Sequence, residues 1–124
     1  MSVTIPVSIG ELVDKYTILL IKRDKISDTQ KLHYVSLEIN LLQPMIDKLC
    51  INELDVLELK QCNETLWKIE DDIREKETLK QFDHAFIKLA RSVYITNDSR
   101  SELKKAINTK YNSIIYEVKS YKQY

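Results

Sequence analysis

Apolar side chains recur along this chain with the three-and-four spacing of α-helices in four successive segments. The first segment opens at Ser8, which has the spacing of a capping box with Glu11. Its apolar residues fall on two sides of the helix, so we expect the first helix to lie centrally and to be covered on both sides. One side carries Ile9, Leu12, Val13, Tyr16 and Leu20, and the other carries Ile18 and Ile21.

The second segment has an apolar stripe from Leu32 to Leu49 that keeps its phase across Pro44. A proline that reversed the chain would not usually preserve the stripe on both sides, so the pattern predicts one kinked helix rather than two. Ser27 and Gln30 have capping-box spacing and predict its start.

The third and fourth segments predict a helical hairpin. The third begins near Asn52, and its apolar stripe ends after Ile73, before a cap at Asp83 opens the fourth. In the fourth, the face that starts with Phe86 turns polar from Asn97 onward. Either this helix continues and presents polar groups to its neighbours, or it breaks near 96–99; we predict a break or kink, with Ser99 capping a new helix.

The two terminal segments alternate apolar and polar residues, as in 3–7 and 114–119. This alternation predicts a short β-ribbon between the termini, or pairing of one segment with a partner chain. The expected fold is mainly α: an antiparallel bundle of four to five helices, forming a single helical domain over residues 1–124.

Composition narrows the function without assigning it. The chain has 19 basic and 19 acidic residues, so no overall charge draws it to nucleic acid. Segment 53–83 is acidic and 99–124 is basic, a polarity that suits self-association or another partner, or that is simply solvated on each block. No leader-like segment or membrane-length apolar run occurs, so we expect a cytoplasmic protein without membrane insertion, with Cys50 and Cys62 as buried reduced thiols.

The stretch LWKIEDDIREKE, residues 66–77, carries the main candidate site. If the third and fourth helices pair antiparallel, polar side chains from both would meet where the apolar stripe fails. One interpretation is a set of structural ion pairs that fixes helix register. The other is a ligand site, in which arginines grip a phosphate or carboxylate. The ligand-binding candidates are Glu70, Arg74, Glu77, Arg91, Tyr94, Asn97 and Asp98.

Two enzyme templates were compared with this stretch. All-α nucleotide pyrophosphatases hold Mg²⁺ with two helical pairs of carboxylates, spaced as E-x-x-E and E-x-x-D. Here Asp72 and Glu75 have the first spacing, but the second pair has no clear match. The corresponding metal candidates are Glu70, Asp71, Asp72 and Glu77. A chorismate-mutase-like bundle would instead surround a dicarboxylate with cations, for which Arg23, Arg74, Arg91 and Lys104 are available. No cofactor is assigned, and the sequence leaves open whether the protein is an enzyme.

Four stretches together resemble a family of short helical proteins of unknown function: IPVSIGELVDKYTILLIKRDKI, LWKIEDDIREKE, FDHAFIKLARSVYITNDSR and YEVKSY. Members of that family are often encoded beside glycosyltransferase and surface-polysaccharide genes, which implies a link to glycan or nucleotide-sugar metabolism. Residues that match the family pattern are Ser8, Gly10, Glu11, Asp14, Lys15, Trp67, Glu70, Asp71, Asp72, Arg74, Phe82, Asp83, Arg91, Tyr94, Asn97, Asp98 and Arg100.

These observations predict a non-catalytic accessory protein whose polar cluster binds a protein partner or an anionic small molecule such as a sugar nucleotide. The alternative is a small Mg²⁺-dependent hydrolase that resembles the all-α pyrophosphatases. We also expect a homodimer, because the amphipathic helices carry more apolar stripe than four short helices need.

Overall fold

The computed structural model describes residues 1–124 and contains four α-helices and no β-strand. Helix α1 spans Ile9–Lys25, α2 Thr29–Lys48, α3 Glu53–Thr78 and α4 His84–Lys110. Helix α1 packs against each of the other three, and α3 also packs against α4. The expected central position of α1 and the helical bundle are therefore confirmed. None of the helices is long and apolar enough to cross a membrane.

Helix α2 is continuous through Pro44, as its unbroken stripe predicts. Its predicted cap at Ser27 is wrong, because Asp28 is the capping residue and its carboxylate accepts a hydrogen bond from the Lys31 amide at 2.9 Å. A carboxylate is well suited to the positive end of the helix dipole. Helix α2 packs mainly against α1, through residues that include Val35 and Ile39, and its Ile46 joins the main core.

Helices α3 and α4 form the predicted hairpin. Asn52 caps α3 and Asp83 caps α4 through a 3.0 Å hydrogen bond from the Phe86 amide. Lys76, in the last turn of α3, reaches the Asp83 carboxylate at 2.9 Å and ties the turn together. At the opposite end, the Tyr111 hydroxyl donates to Asp55 at 2.6 Å, which joins the end of α4 to the start of α3.

The predicted break in α4 is wrong, because the helix runs without interruption past Ser99. Ser99 does not cap a new helix; its hydroxyl donates back to the Ile95 carbonyl at 3.5 Å. The polar positions that interrupt the apolar stripe are accommodated because Lys104 and Asn108 are buried against polar groups of α1. A polar helix face needs no break when the neighbouring helix supplies matching charges and hydrogen bonds.

The predicted β-ribbon is also wrong. The C-terminal segment, residues 113–124, has no regular structure and lies beside α4, to which it is bound by the side chains of Tyr116, Glu117 and Tyr124. Val3 and Ile5 in the N-terminal segment are exposed instead of paired.

The main core lies where α1, α2, α3 and α4 meet, and a smaller core joins α1 to α2. The main cluster contains Leu12, Val13, Ile46, Leu59 and Ile107. The expectation of two buried thiols is wrong for Cys50, which is exposed just after α2, where the backbone has φ 52°. Cys62 is half-buried, and burial raises the pKa of its thiol.

Candidate functional site

The seven ligand candidates from the sequence do not meet at one place. Arg74 donates to Glu70 at 3.1 Å along the surface of α3, and Glu77 lies 4.0 Å from Lys80. Arg91 is exposed on α4. An exposed pair within one helix contributes only about 0.2–0.5 kcal/mol, so the Glu70 and Arg74 pair does not fix the register between helices.

The four metal candidates are likewise spread along α3. Lys68 neutralises Asp72 at 3.1 Å, whereas Asp71 is exposed and Glu77 lies in the last turn. No group of three or more histidine, cysteine, aspartate or glutamate side chains is placed to hold a metal ion. Glu70 and Asp71 do border a cleft of about 390 Å³, together with Trp67, Arg74 and Arg100.

A buried polar network lies instead between α1, α3 and α4. The Asn63 side-chain amide donates to the Asp14 carboxylate at 2.8 Å and to the Thr17 hydroxyl at 2.9 Å. All three residues are at least 95% buried. A buried carboxylate needs charge compensation, and Lys104 and Arg100 supply it at 3.8 Å and 3.9 Å.

Lys104 is the centre of this network. Its ammonium donates to Glu11 at 2.7 Å and to Glu117 at 2.9 Å, while its side chain is only 8% exposed. Burial alone would lower the pKa of Lys104, but the hydrogen bonds to Glu11 and Glu117 and the charge of Asp14 outweigh it and raise the pKa. Lys104 therefore remains a cation, and it joins α1, α4 and the C-terminal segment.

A close approach between α1 and α4 makes this junction possible. The Gly10 amide donates to the Asn108 side-chain oxygen at 2.6 Å, and the Ile9 amide donates to the Ser113 hydroxyl at 3.1 Å. A Cβ atom on Gly10 would lie 2.5 Å from the Lys104 carbonyl oxygen. The first amides of α1, which have no partner within their own helix, are thus satisfied by the end of α4 and the residues that follow.

An open groove of about 680 Å³ lies beside the junction, between α4 and the C-terminal segment. Helix α4 contributes Tyr94, Asn97 and Asp98 to it, so three of the seven ligand candidates lie together. The Tyr124 hydroxyl donates to Asp98 at 2.6 Å, and this bond raises the pKa of Tyr124. The rings of Tyr124 and Tyr94 pack in a T-shaped arrangement with their centroids 5.2 Å apart. These contacts hold the C-terminal segment as one wall of the groove.

Cations and aromatic rings dominate the lining of the groove. Two of the cations come from α4 and two from the C-terminal segment: Arg100, Lys104, Lys119 and Lys122. Its three tyrosines are Tyr94, Tyr121 and Tyr124, and its two carboxylates are Asp98 and Glu102. Arg100 borders both this groove and the cleft beside Trp67, so the two depressions adjoin at one guanidinium.

Glu117 is not part of the groove lining, but it contacts two of the cations that are, Lys104 and Lys119. Hydrogen bonds from Lys119 at 2.7 Å and from Lys104 at 2.9 Å hold the pKa of Glu117 at about 2, below its usual 4.5, in spite of partial desolvation. The depressed pKa means that folding favours the carboxylate, so the stabilisation is complete above pH 4.5 and disappears as the pH falls through 2.

This linkage predicts a pH-dependent effect of Glu117→Gln. At pH 7 the variant should be less stable than the wild type, and the difference should shrink steadily between pH 4.5 and pH 2. Urea unfolding of both proteins across this range measures it. A stability difference that stayed constant down to pH 2 would contradict the contacts assigned to this carboxylate.

A model of a family of unknown function, DUF6165, matches residues 1–124. The chain belongs to the DUF6165 family. The resemblance noted from the sequence is therefore confirmed. No curated protein and no solved structure matches this DUF6165 chain.

Several residues that the family resemblance indicated lie at the junction rather than in the predicted cluster of α3 and α4. Gly10, Glu11, Asp14 and Arg100 all contribute to it. Sequence analysis of the DUF6165 chain missed Asn63, Asn108 and Glu117 as site residues. The available signal was the polar phase of α4, where positions 97, 101, 104 and 108 share one face, but it was interpreted as a break in the helix.

Proposed function

We propose that this DUF6165 protein is a non-catalytic binding protein whose groove, between α4 and the C-terminal segment, takes an anionic ligand with a planar ring, such as a sugar nucleotide. The observation that carries the proposal is the joint lining of one groove by four cations and three tyrosines. Binding sites for small molecules are typically concave and combine aromatic walls with a few polar groups.

Each part of the lining suits a part of such a ligand. Arg100 offers a forked set of donors for a phosphate, and Lys119, paired with Glu117, and Lys122 add two further positive charges. Tyr121 is exposed and can stack against a base or pack on the face of a sugar. Two of the nearby carboxylates already have partners, since Glu117 binds lysines and Asp98 accepts from Tyr124, whereas Glu102 lines the groove without one. This arrangement favours holding an anion over transferring a proton.

The sugar-nucleotide class also agrees with the glycan context that the family resemblance implies. We infer that the protein acts as an accessory factor that binds such a ligand for a partner enzyme of glycan metabolism.

A binding titration tests the groove directly. Isothermal calorimetry with a panel of nucleoside diphosphates and their sugar esters should give saturable binding to the wild type. Lys122→Gln and Tyr121→Ala should each weaken it about tenfold, a loss typical of one charge-assisted contact or one stacked ring. Lys105→Gln is the matched control, because this exposed lysine of α4 lies outside the groove lining. Equal weakening by the control, or no binding at all, would refute the groove as the site.

A Mg²⁺-dependent hydrolase is the second candidate, and the cleft beside Trp67 is the observation that favours it. Glu70 and Asp71 line that cleft with Arg74 and Arg100, so two carboxylates could hold Mg²⁺ beside arginines that bind phosphate. Asp72 and Glu77 would have to be recruited from outside the cleft. Nucleotide turnover that requires Mg²⁺ and is lost in Glu70→Gln would establish this candidate; turnover unaffected by Glu70→Gln would remove it.

We also propose that two copies associate through the outer face of α2. This helix packs mainly against α1, yet it exposes a second apolar stripe made of Tyr34, Leu37, Leu41 and Met45. Antiparallel pairing about Leu41 would place Leu37 against Met45 and Tyr34 against Lys48 of the second copy, so the stripe is complementary to itself, with a cation beside each ring.

Light scattering at micromolar concentration should therefore give the mass of two chains. Leu41→Glu should give the mass of one chain, whereas Leu54→Glu, at an equally exposed leucine on α3, should leave the dimer intact. A wild-type mass of one chain would remove the proposal and leave the stripe for a different protein.

A further inference from the structure

The Glu117 carboxylate occupies a position that an anionic ligand would be expected to take. It accepts a hydrogen bond from Lys104 at 2.9 Å and forms an ion pair with Lys119 at 2.7 Å, and both lysines line the groove, whereas Glu117 does not. A phosphate oxygen would use the same donors in the same way, since both groups are anionic acceptors.

The three carboxylates around Lys104 are held with different firmness. Glu11 and Asp14 belong to α1 and are fixed by a continuous helix, and Asp14 is also bound by Asn63. Glu117 belongs to a segment without regular structure, and since its side chain is 41% exposed and that of Glu11 is 45% exposed, the backbone setting is what distinguishes these two. Glu117 is therefore the carboxylate that can leave Lys104 with the least disturbance of the fold.

The segment around Glu117 is anchored on both sides. Before it, the Ser113 hydroxyl accepts from the Ile9 amide and donates to the Ile115 carbonyl. After it, Tyr124 donates to Asp98 and packs against Tyr94. Glu117 can thus move away from Lys104 while the segment remains in place as the wall of the groove.

We propose that Glu117 is a built-in competitor that occupies the anion subsite formed by Lys104 and Lys119, and that the phosphate of a bound ligand displaces it. The inference rests on the proposed function of the groove and adds its regulation. It assigns the phosphate, rather than the ring, to the inner end of the groove beside Lys104, and it makes binding an exchange of one anion for another. The measured affinity for the ligand is then lower than it would be if Lys104 and Lys119 were not already paired with Glu117.

Titration of inorganic pyrophosphate into three proteins tests this exchange, since the probe has phosphate groups and no ring. Glu117→Gln keeps the shape of the side chain but weakens its hold on the lysines, so the variant should bind pyrophosphate about tenfold more tightly than the wild type. Glu102→Gln is the matched control, because Glu102 lines the groove and carries the same charge without binding Lys104. Glu102→Gln should increase the affinity for pyrophosphate only slightly, because it removes a negative charge at a distance. This small increase should vanish in high salt.

The outcomes separate the two proposals. Equal tightening by Glu117→Gln and Glu102→Gln would overturn the competitor and leave the groove intact as an anion site. Absence of pyrophosphate and nucleotide binding in all three proteins would overturn the proposed function and the competitor together.

A second measurement does not depend on a variant. In the wild type, NMR spectra should show the Glu117 side-chain carboxyl signal shifting as pyrophosphate saturates, while the Tyr124 ring keeps its contact with Tyr94. A carboxyl signal that is unchanged at saturation would overturn the displacement.

Discussion

Gly10→Ala is expected to destabilise the protein by about 2 kcal/mol, although alanine is the better helix former. Alanine in a helix gains roughly 1 kcal/mol over glycine. The new Cβ, however, would lie 2.5 Å from the Lys104 carbonyl oxygen, and this backbone atom cannot rotate away. Forcing extra volume into a packed contact costs about 1–3 kcal/mol, and weakening the 2.6 Å hydrogen bond from Gly10 to Asn108 as the helices separate costs about 1 kcal/mol more.

Thermal unfolding followed by circular dichroism measures this effect, with a melting temperature lower by roughly 8 °C. Ser36→Ala serves as the control, because Ser36 is an exposed position of α2 where only helix propensity changes. A Gly10→Ala protein as stable as the wild type would mean that α1 and α4 approach less closely than described.

Lys104→Met should cost about 2–3 kcal/mol. Methionine retains most of the apolar stem, so the change removes the ammonium and little packing. Removing one partner of a buried ion pair typically costs about 3–5 kcal/mol. The cost is smaller here because the Glu11 and Glu117 carboxylates are partly hydrated. The penalty therefore falls mainly on Asp14, which keeps only Arg100 and Asn63 as compensation.

Urea unfolding of a double-mutant cycle measures this coupling. Adding Asp14→Asn to Lys104→Met should recover part of the lost stability, because no unpaired carboxylate is then left buried. Lys105→Met, at the exposed neighbouring position, should change the free energy of unfolding by less than about 0.5 kcal/mol. Additive effects of the two junction substitutions would contradict a charge pair between these side chains.

The helices could be predicted from sequence because local signals determine them. Asn52 and Asp83 were identified as caps, and the continuity of α2 across Pro44 followed from the phase of its stripe. The break in α4 and the terminal ribbon were wrong because tertiary partners overrode the local pattern. The polar residues of α4 predict a break from sequence alone, but they face α1 in a continuous helix. The alternation near Tyr116 predicts a strand, but it reflects separate side-chain contacts with α4.

The candidate site was only partly predictable for the same reason. Tyr94, Asn97 and Asp98 do lie in one groove, since they occupy a single helix and share a face. The groove's other wall comes from the C-terminal segment, and no spacing rule relates Lys119 to Arg100. Lys104 and Asp14 are 90 positions apart, so only the fold brings them together.

The way α1 begins also determines when the protein can finish folding. The Ile9 and Gly10 amides donate hydrogen bonds to the side chains of Ser113 and Asn108, which are 104 and 98 positions later in the chain. The ribosome releases the first helix long before it has made the groups that complete it, so those amides remain hydrated until Asn108 and Ser113 have been made. Closing a loop of this length is slow, and it cannot start until the last helix has emerged. This end of the bundle therefore becomes ordered only after Asn108 and Ser113 have emerged from the ribosome.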